Sequence, residues 1–358
     1  MGNVKNVSSK KSIDKFQILS HEELAIQVKH LPPIRKIWGG IDEGSFGIVV
    51  GPSKSGKTTF CENLALSLVV GRATFWGRKL YLGKPVKVAF ISFEENCRPR
   101  FTRCSKQLKA LNTADKELVN KNYLLPDCNF SQLIQNDKDW ALLESTIKNS
   151  NAKIVFIDSL TRMYSGAIEE SNVAQKLTLK LRTLSRNLDI TIISIHHTTK
   201  NYGKPLTTDS IAGSRVINQE ADFAIGINIT PTNKTYLKEV FYRYEKQSDS
   251  RVIPFIINDN NLWLEPSEWT DEYKMFNSID GRTIENGNID NLMEYFKSEK
   301  QDEIITTESL GKRFVKTKQF SNPTLHSYLK KLVSDEIIVK VAKGAYKLNQ
   351  GKEANDEA

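Results

Sequence analysis

The chain has 358 residues, too many for one ordinary domain of roughly 100 to 200 residues and enough for about two. With 39% hydrophobic and 26% charged residues it can bury a sizeable core, and no run approaches the roughly 18 apolar residues of a spanning helix, which excludes a membrane-embedded protein. Lys and Arg number 51 against 42 Asp and Glu, and the resulting +9 favours a polyanionic partner such as nucleic acid without singling one out.

The start, MGNVKNVSSKK, is basic with no apolar run behind it, and Asn6 stands where a myristoylation signal has Ser or Thr; neither export nor a lipid anchor is expected. Cys61, Cys97, Cys104 and Cys128 form no CxxC pair and lack a His at zinc-site spacing, so reduced thiols in a cytoplasmic protein are expected. Residues 1–30 read as a flexible basic arm, with Lys5, Lys10, Lys11 and Lys15 near its start and too few apolar side chains to offset ordering entropy.

Over residues 31–274, short β-branched runs alternate with amphipathic stretches. FGIVVG ending at Gly51, VKVAFISF ending at Phe93, AKIVFID ending at Asp158 and ITIISI ending at Ile195 are continuous apolar strands, the pattern of a parallel sheet covered on both faces. Helices are expected between them over Lys57 to Val70, Arg98 to Ala110, Asp137 to Asn149 and Ser171 to Asn187, each with apolar residues at three- and four-residue spacing. After Ala221 the runs FAIGINI, YLKEVFYRY, VIPFIIN and LWLEP read as antiparallel strands extending one edge.

Residues 275–286 are polar and turn-rich and read as a linker. Residues 287–350 then offer three helices, IDNLMEYFKSE, TTESLGKRFVK and NPTLHSYLKKLVSD, and two strands, EIIVKVA and AYKLN, which is the layout of a small winged-helix domain. Residues 351–358 are a charged tail expected to be disordered.

The segment Gly51-Pro52-Ser53-Lys54-Ser55-Gly56-Lys57-Thr58 matches GxxxxGK[ST] in full, after an apolar strand and before an amphipathic helix, with Thr59 continuing into that helix. The glycines let backbone amides face phosphate oxygens, Lys57 adds a point charge at the β- and γ-phosphates, and the Thr58 hydroxyl suits Mg²⁺. Asp158, at the end of a buried strand, suits the second Mg²⁺ contact. Glu94 and Glu95 end another strand; a carboxylate beside the γ-phosphate can act as general base, and Glu94 is the better placed at the strand-to-loop transition. ITIISIHHTTK ends a strand in His196 and His197, of which His197 is the better candidate to sense the γ-phosphate.

GPSKSGKT, FISFEE, IVFIDSLTRM, and IHHTTK followed by SIAGSRVINQEADFAIGI together resemble the RecA-like P-loop ATPase core, in the branch containing the hexameric RepA and DnaB replicative helicases and the RadA recombination protein. The resemblance covers about residues 31–265. It implies an α/β fold with a mainly parallel sheet sandwiched by helices, ATP as substrate with Mg²⁺, assembly into a homo-oligomeric ring, and a role in replication or mobilisation of a plasmid or mobile element. The branch also carries Lys-x-Arg on a late strand, reaching a neighbour's nucleotide. Here Lys246 matches, Ser248 stands in the arginine's place, and Arg243 or Arg251 remain as substitutes.

In that class the loop after the histidines faces DNA in a central channel, and here it carries Lys200, Tyr202 and Lys204, suited to phosphate contact and base stacking. The C-terminal unit is polarised: two basic against seven acidic residues from Glu285 to Gly311, nine against two from Lys312 to Lys347. Lys330 and Lys331 on its third helix, near His326 and Ser327, and Lys343 between its strands suit duplex phosphates. An ATP-driven DNA motor is therefore expected. The alternatives are a RadA-like recombination ATPase, less favoured because this sequence shows neither a zinc motif at its start nor a protease-like domain at its end, and a winged-helix DNA-binding regulator switched by ATP.

Overall fold

The structure, a computed structural model, describes residues 18–81, 83–130, 134–163, 171–198, 204–211, 215–245, 251–276, 284–298, 303–316 and 321–349. The four apolar runs become β1 (Phe46–Gly51), β2 (Val88–Ser92), β4 (Ile154–Asp158) and β5 (Thr191–His197), with β3 (Tyr123–Leu124) beside β2. Beyond β1 lie β6 (Phe223–Ile229), β7 (Thr235–Tyr242), β8 (Arg251–Ile257) and β9 (Leu264–Pro266). They form one sheet in the order β9-β8-β7-β6-β1-β5-β4-β2-β3, with β10 (Thr270–Asp271) also pairing with β8.

From β6 to β3 every pairing is parallel, so the carboxyl ends of β1, β5, β4 and β2 lie side by side. Alternate residues enter opposite layers. Val49, Phe156 and Ile193 pack with Phe60 and Leu64 of α1 (Lys57–Val70); Ile48, Val155 and Ile192 pack with Leu143 of α4 (Asp137–Ser150) and Leu181 of α5 (Ser171–Leu188). Burial on both faces is why these strands carry unbroken β-branched runs.

Several expectations change. Phe223–Ile229 is parallel to β1 and antiparallel only to β7, so the antiparallel extension starts one strand later than the sequence suggests. α2 (Cys97–Gln107) buries Arg100, Cys104 and Gln107 instead of an apolar stripe, and leaves Phe101 exposed. The polar face is tolerated because the Arg100 guanidinium donates to the Phe90 carbonyl at 2.6 Å and the Gln107 amide to Glu62 at 3.0 Å. α3 (Thr113–Asn122), which runs into β3, has no counterpart among the expected helices; Asn112 caps it by accepting from the Asp115 amide at 2.8 Å.

Within the stretch expected as a flexible arm, His21–Lys29 is helical. Its start is a capping box, in which Ser20 Oγ accepts from the Glu23 amide and the Glu23 carboxylate accepts from the Ser20 amide at 2.7 Å. The expectation of four reduced cysteines is also overturned: Cys97, the first residue of α2, is bonded to Cys128 in the segment following β3, while Cys61 and Cys104 are free and buried. The pair is separated by 31 residues in sequence and meets because β2 and β3 are parallel neighbours.

After α6 (Arg215–Glu220) and the antiparallel strands, the C-terminal unit holds α7 (Ile284–Ser298), the strand Ile305–Thr306, a helical stretch from Thr307 to Val315 that widens into a π-turn at Gly311, α8 (Asn322–Ser334), and the hairpin of Ile338–Ala342 with Ala345–Leu348. Leu292, Phe296, Leu310, Leu325, Leu329 and Leu332 form its own core. Residues 277–283 of the expected linker and the expected tail lie outside the described residues. No helix among the described residues is long and apolar enough to cross a membrane.

The centre of the sheet generates the first prediction. Phe156 is fully buried and stacks on Phe90 with centroids 5.4 Å apart. Phe156→Ala removes this pair and leaves a cavity that close-packed strands cannot collapse, so chemical unfolding of the α/β core should show a loss of about 3 to 5 kcal/mol.

Candidate active site

The loop between β1 and α1 is shaped by two glycines. Gly56 has φ +91°, a left-handed conformation that starts α1 while turning its amides outward. Gly51 is required for another reason: a Cβ there would stand 2.0 Å from the Ile227 carbonyl oxygen of the adjoining strand. Pro52 closes the loop from inside, its carbonyl accepting from Lys57 Nζ at 2.6 Å.

A cavity of about 480 Å³ opens above this loop at the carboxyl ends of the strands. Of the residues expected to bind nucleotide, Ser53, Lys54, Gly56, Lys57, Thr58 and Thr59 line it, whereas Gly51, Pro52 and Ser55 shape it from behind. Glu94, Glu95, Asp158 and His197 line it as well. The structure thus gathers the phosphate loop and three strand-end groups into one site, as the parallel order of β1, β5, β4 and β2 requires.

Thr58 Oγ1 donates to Asp158 Oδ2 at 2.9 Å, while the buried Asp158 Oδ1 has no hydrogen-bond partner among the described residues. Burial pushes the Asp158 carboxyl up to about 6, helped by Glu94 and Glu95 and opposed by the Thr58 hydroxyl. Burial likewise draws the Lys57 ammonium down to about 8, against the pull of Asp158 and Glu94. Both groups are therefore short of solvation in their charged forms. An orphaned carboxylate oxygen beside a hydroxyl is a hard oxygen donor set that fits Mg²⁺, with Thr58 and Asp158 as the protein's contributions.

The two adjacent glutamates have different surroundings. Glu95 is held by Arg103, with contacts of 2.7 and 2.6 Å, and Arg103 also forks onto Glu62 of α1 at 2.8 and 2.8 Å. Glu94 is exposed to the cavity, its amide turned toward Ser92 Oγ at 3.4 Å. Arg103 escaped the sequence reading. Its signal was present in the polar spacing of Arg100, Arg103 and Gln107 on a helix without an apolar stripe.

His196 is fully buried, whereas His197, opposite Gly51 in the β1–β5 register, is half-buried at the cavity. Burial and the Lys57 charge hold the His197 imidazole below its ordinary value, so it is neutral at physiological pH.

Of the residues expected at DNA, Lys200 and Tyr202 lie outside the described residues, as does the expected finger Lys246 with Ser248. Lys204 is exposed, its carbonyl accepting from the Asn228 amide at 2.9 Å. Lys330 and Lys331 are exposed on α8 with His326 and Ser327, opposite the buried Leu325, Leu329 and Leu332, and Lys343 is exposed at the hairpin turn. Arg243 is committed inside its own chain, bonding Asp222 at 3.0 Å and the Ala221 carbonyl at 3.0 Å.

The sequence profile of the AAA_25 family, described as an AAA domain, matches residues 14–203, just over half of the chain, and the chain belongs to this family. It is a P-loop ATPase with an α/β fold in which a mainly parallel sheet is flanked by helices. Among solved structures, a KaiC-like protein from the hyperthermophilic archaeon Pyrococcus horikoshii OT3 is 21% identical with a TM-score of 0.44, covering 66% of this chain and 100% of that one. The ATPase domain of G40P is 14% identical with a TM-score of 0.49, covering 63% of this chain and 86% of that one. No curated protein matches.

The unequal glutamates yield a second prediction: Glu94→Gln binds ATP but loses turnover by about 10² to 10⁴-fold, while Glu95→Gln keeps measurable turnover, in a Mg²⁺-dependent phosphate-release assay. Asp158 yields a third. Its folded value near 6 lies above the ordinary 3.8, so the stability it contributes is full below the lower value and lost as pH rises through the higher. Asp158→Asn, isosteric and neutral, should raise the stability of the nucleotide-free protein at neutral pH by about 1 to 3 kcal/mol and give no gain near pH 4, while abolishing Mg²⁺-dependent hydrolysis. Thermal unfolding across pH and phosphate release check the two halves.

Proposed function

We propose that this chain is an ATP-hydrolysing, DNA-binding motor that assembles as a homo-oligomeric ring, a RepA-like helicase serving replication or mobilisation of a plasmid or mobile element. The observation that carries the ATPase half is the gathering of the phosphate loop, the Thr58–Asp158 pair and the exposed Glu94 in one cavity.

The loop amides and the amino end of α1 hold the phosphate chain, and Lys57 neutralises charge on its terminal groups. Thr58 and Asp158 would hold Mg²⁺, which would supply charge neutralisation to the phosphate chain. Glu94 accepts the proton of the water that attacks the γ-phosphorus in line, and Glu95, paired with Arg103, keeps the loop in place. His197, neutral and beside Lys57, is the γ-phosphate sensor. The DNA half rests on Lys200, Tyr202 and Lys204 in the sequence that follows His197, and on the exposed Lys330, Lys331 and Lys343 of a C-terminal winged helix. Lys246 supplies the cation to a neighbouring subunit's nucleotide; Arg243 is a poor substitute because Asp222 already holds it.

The separate core and one-sided cationic surface of the C-terminal unit also favour a second reading, in which ATP switches a duplex-binding regulator. A tailed duplex separates the two. The motor reading expects strand separation that requires ATP hydrolysis and is absent in Lys57→Ala and Glu94→Gln. ATP-dependent duplex binding without strand separation would favour the switch, and a chain that stays monomeric in native mass measurement with a non-hydrolysable ATP analogue would remove the ring.

A further inference from the structure

The Cys97–Cys128 disulfide stands next to the glutamate pair and has no part in the chemistry proposed above. Cys97 is the first residue of α2, two residues after Glu95 and three after Glu94. Cys128 lies in the exposed segment that follows the edge strand β3. The bond fastens the β2–α2 loop, which carries both glutamates, to the margin of the sheet. A second tie runs alongside it, the edge-on contact of Phe93 with Phe130 at 5.4 Å.

A separate cavity of about 340 Å³ opens at the disulfide, lined by both cysteines, Arg98, Asp127 and, on its inner side, Glu95. Glu95 also lines the nucleotide cavity, so one side chain stands between the disulfide and the phosphate site. Cys128 is exposed and Cys97 half-buried, whereas Cys61 and Cys104 are buried. Thiol exchange is thereby directed to this bond alone.

We propose that the Cys97–Cys128 disulfide is a redox-sensitive latch that positions Glu94 over the nucleotide cavity, so that the oxidised chain turns over ATP faster than the reduced one. This rests on the reading of Glu94 as the general base. A dithiol reductant attacks the exposed Cys128 sulfur, and the S–S bond breaks with Cys97 leaving as a thiolate. That leaving group is favoured by its place at the amino end of an eleven-residue helix. The second thiol of the reductant then displaces Cys128 from the mixed disulfide. Two electrons and two protons pass to the chain and the reductant departs as its own disulfide.

With the bond open, Glu94 and Glu95 keep the Ser92 hydroxyl and Glu95 keeps Arg103, and Phe93 keeps Phe130. Reduction therefore slackens the loop and does not unfold it. ATP affinity, set by the phosphate loop on the other side of the cavity, is untouched, and the loss falls on kcat.

The test uses the full chain, oxidised with diamide and then reduced with dithiothreitol, with thiols counted by alkylation and mass. The oxidised chain should carry two alkylatable cysteines under denaturing conditions and the reduced chain four. Reduction should lower kcat by about tenfold while KM for ATP stays within about twofold. The double variant Cys97→Ser, Cys128→Ser should show the reduced chain's kcat and ignore dithiothreitol. Hydrogen exchange over residues 94–100 should quicken on reduction. Four alkylatable thiols after diamide, or complete reduction that changes neither kcat nor exchange, overturns the latch. If neither form hydrolyses ATP, exchange decides alone: quickened exchange keeps the latch and places the failure on the Glu94 reading, and unchanged exchange sinks the latch itself.

Discussion

Everything in the ATPase core answers to the cost of keeping one carboxylate out of water. Asp158 ends β4 almost fully buried, with one oxygen bonded to Thr58 and the other unpartnered among the described residues. A buried anion of this kind is tolerated only where a cation completes it, and Lys57, itself buried, is a partial answer. The site is therefore arranged to gain most when a polyphosphate meets Lys57 and a divalent cation meets Asp158 together. In the empty protein both charges are therefore held at a cost in stability.

That arrangement depends on close backbone approach. β1 lies between β5 and β6, and the Ile227 carbonyl of β6 comes so near Gly51 that no side chain fits. The same strand order sets Asp158 across from Ser92 in register, which brings the β2–α2 loop beside the Thr58–Asp158 pair. From there Arg103 couples the two sides: it holds Glu95 on the loop and Glu62 on α1, so the helix that follows the phosphate loop and the loop that carries Glu94 are joined through one guanidinium. Arginine suits this role because its planar fork serves two carboxylates at once.

What the sequence made legible follows from which physical rules are local. Unbroken apolar runs gave β1, β2, β4 and β5, since burial on both faces writes itself into consecutive residues, and the phosphate loop was legible because its chemistry is confined to eight of them. The parallel pairing of β6, the 31-residue span between Cys97 and Cys128, and the Arg103 contacts were not legible, because each depends on which strands become neighbours. α2 misled in an instructive way. Phe101, which fitted an apolar spacing, faces solvent, and the buried face consists of groups that find polar partners. The choice of Glu94 over Glu95 came from position along the strand, while the structure distinguishes them by charge pairing: Glu95 is held by Arg103 and Glu94 faces the cavity.

The same criterion, charge pairing, also shows how β1 and β7 are tied together. Asp222, which begins the turn into β6, accepts from the Phe46 amide at the foot of β1 and pairs with Arg243 at the far end of β7. β1 leads to the phosphate loop at its other end, and β7 leads on to the segment that contains Lys246. One half-buried carboxylate thus ties the foot of β1 to the end of β7, with charge pairing on one side and a backbone hydrogen bond on the other.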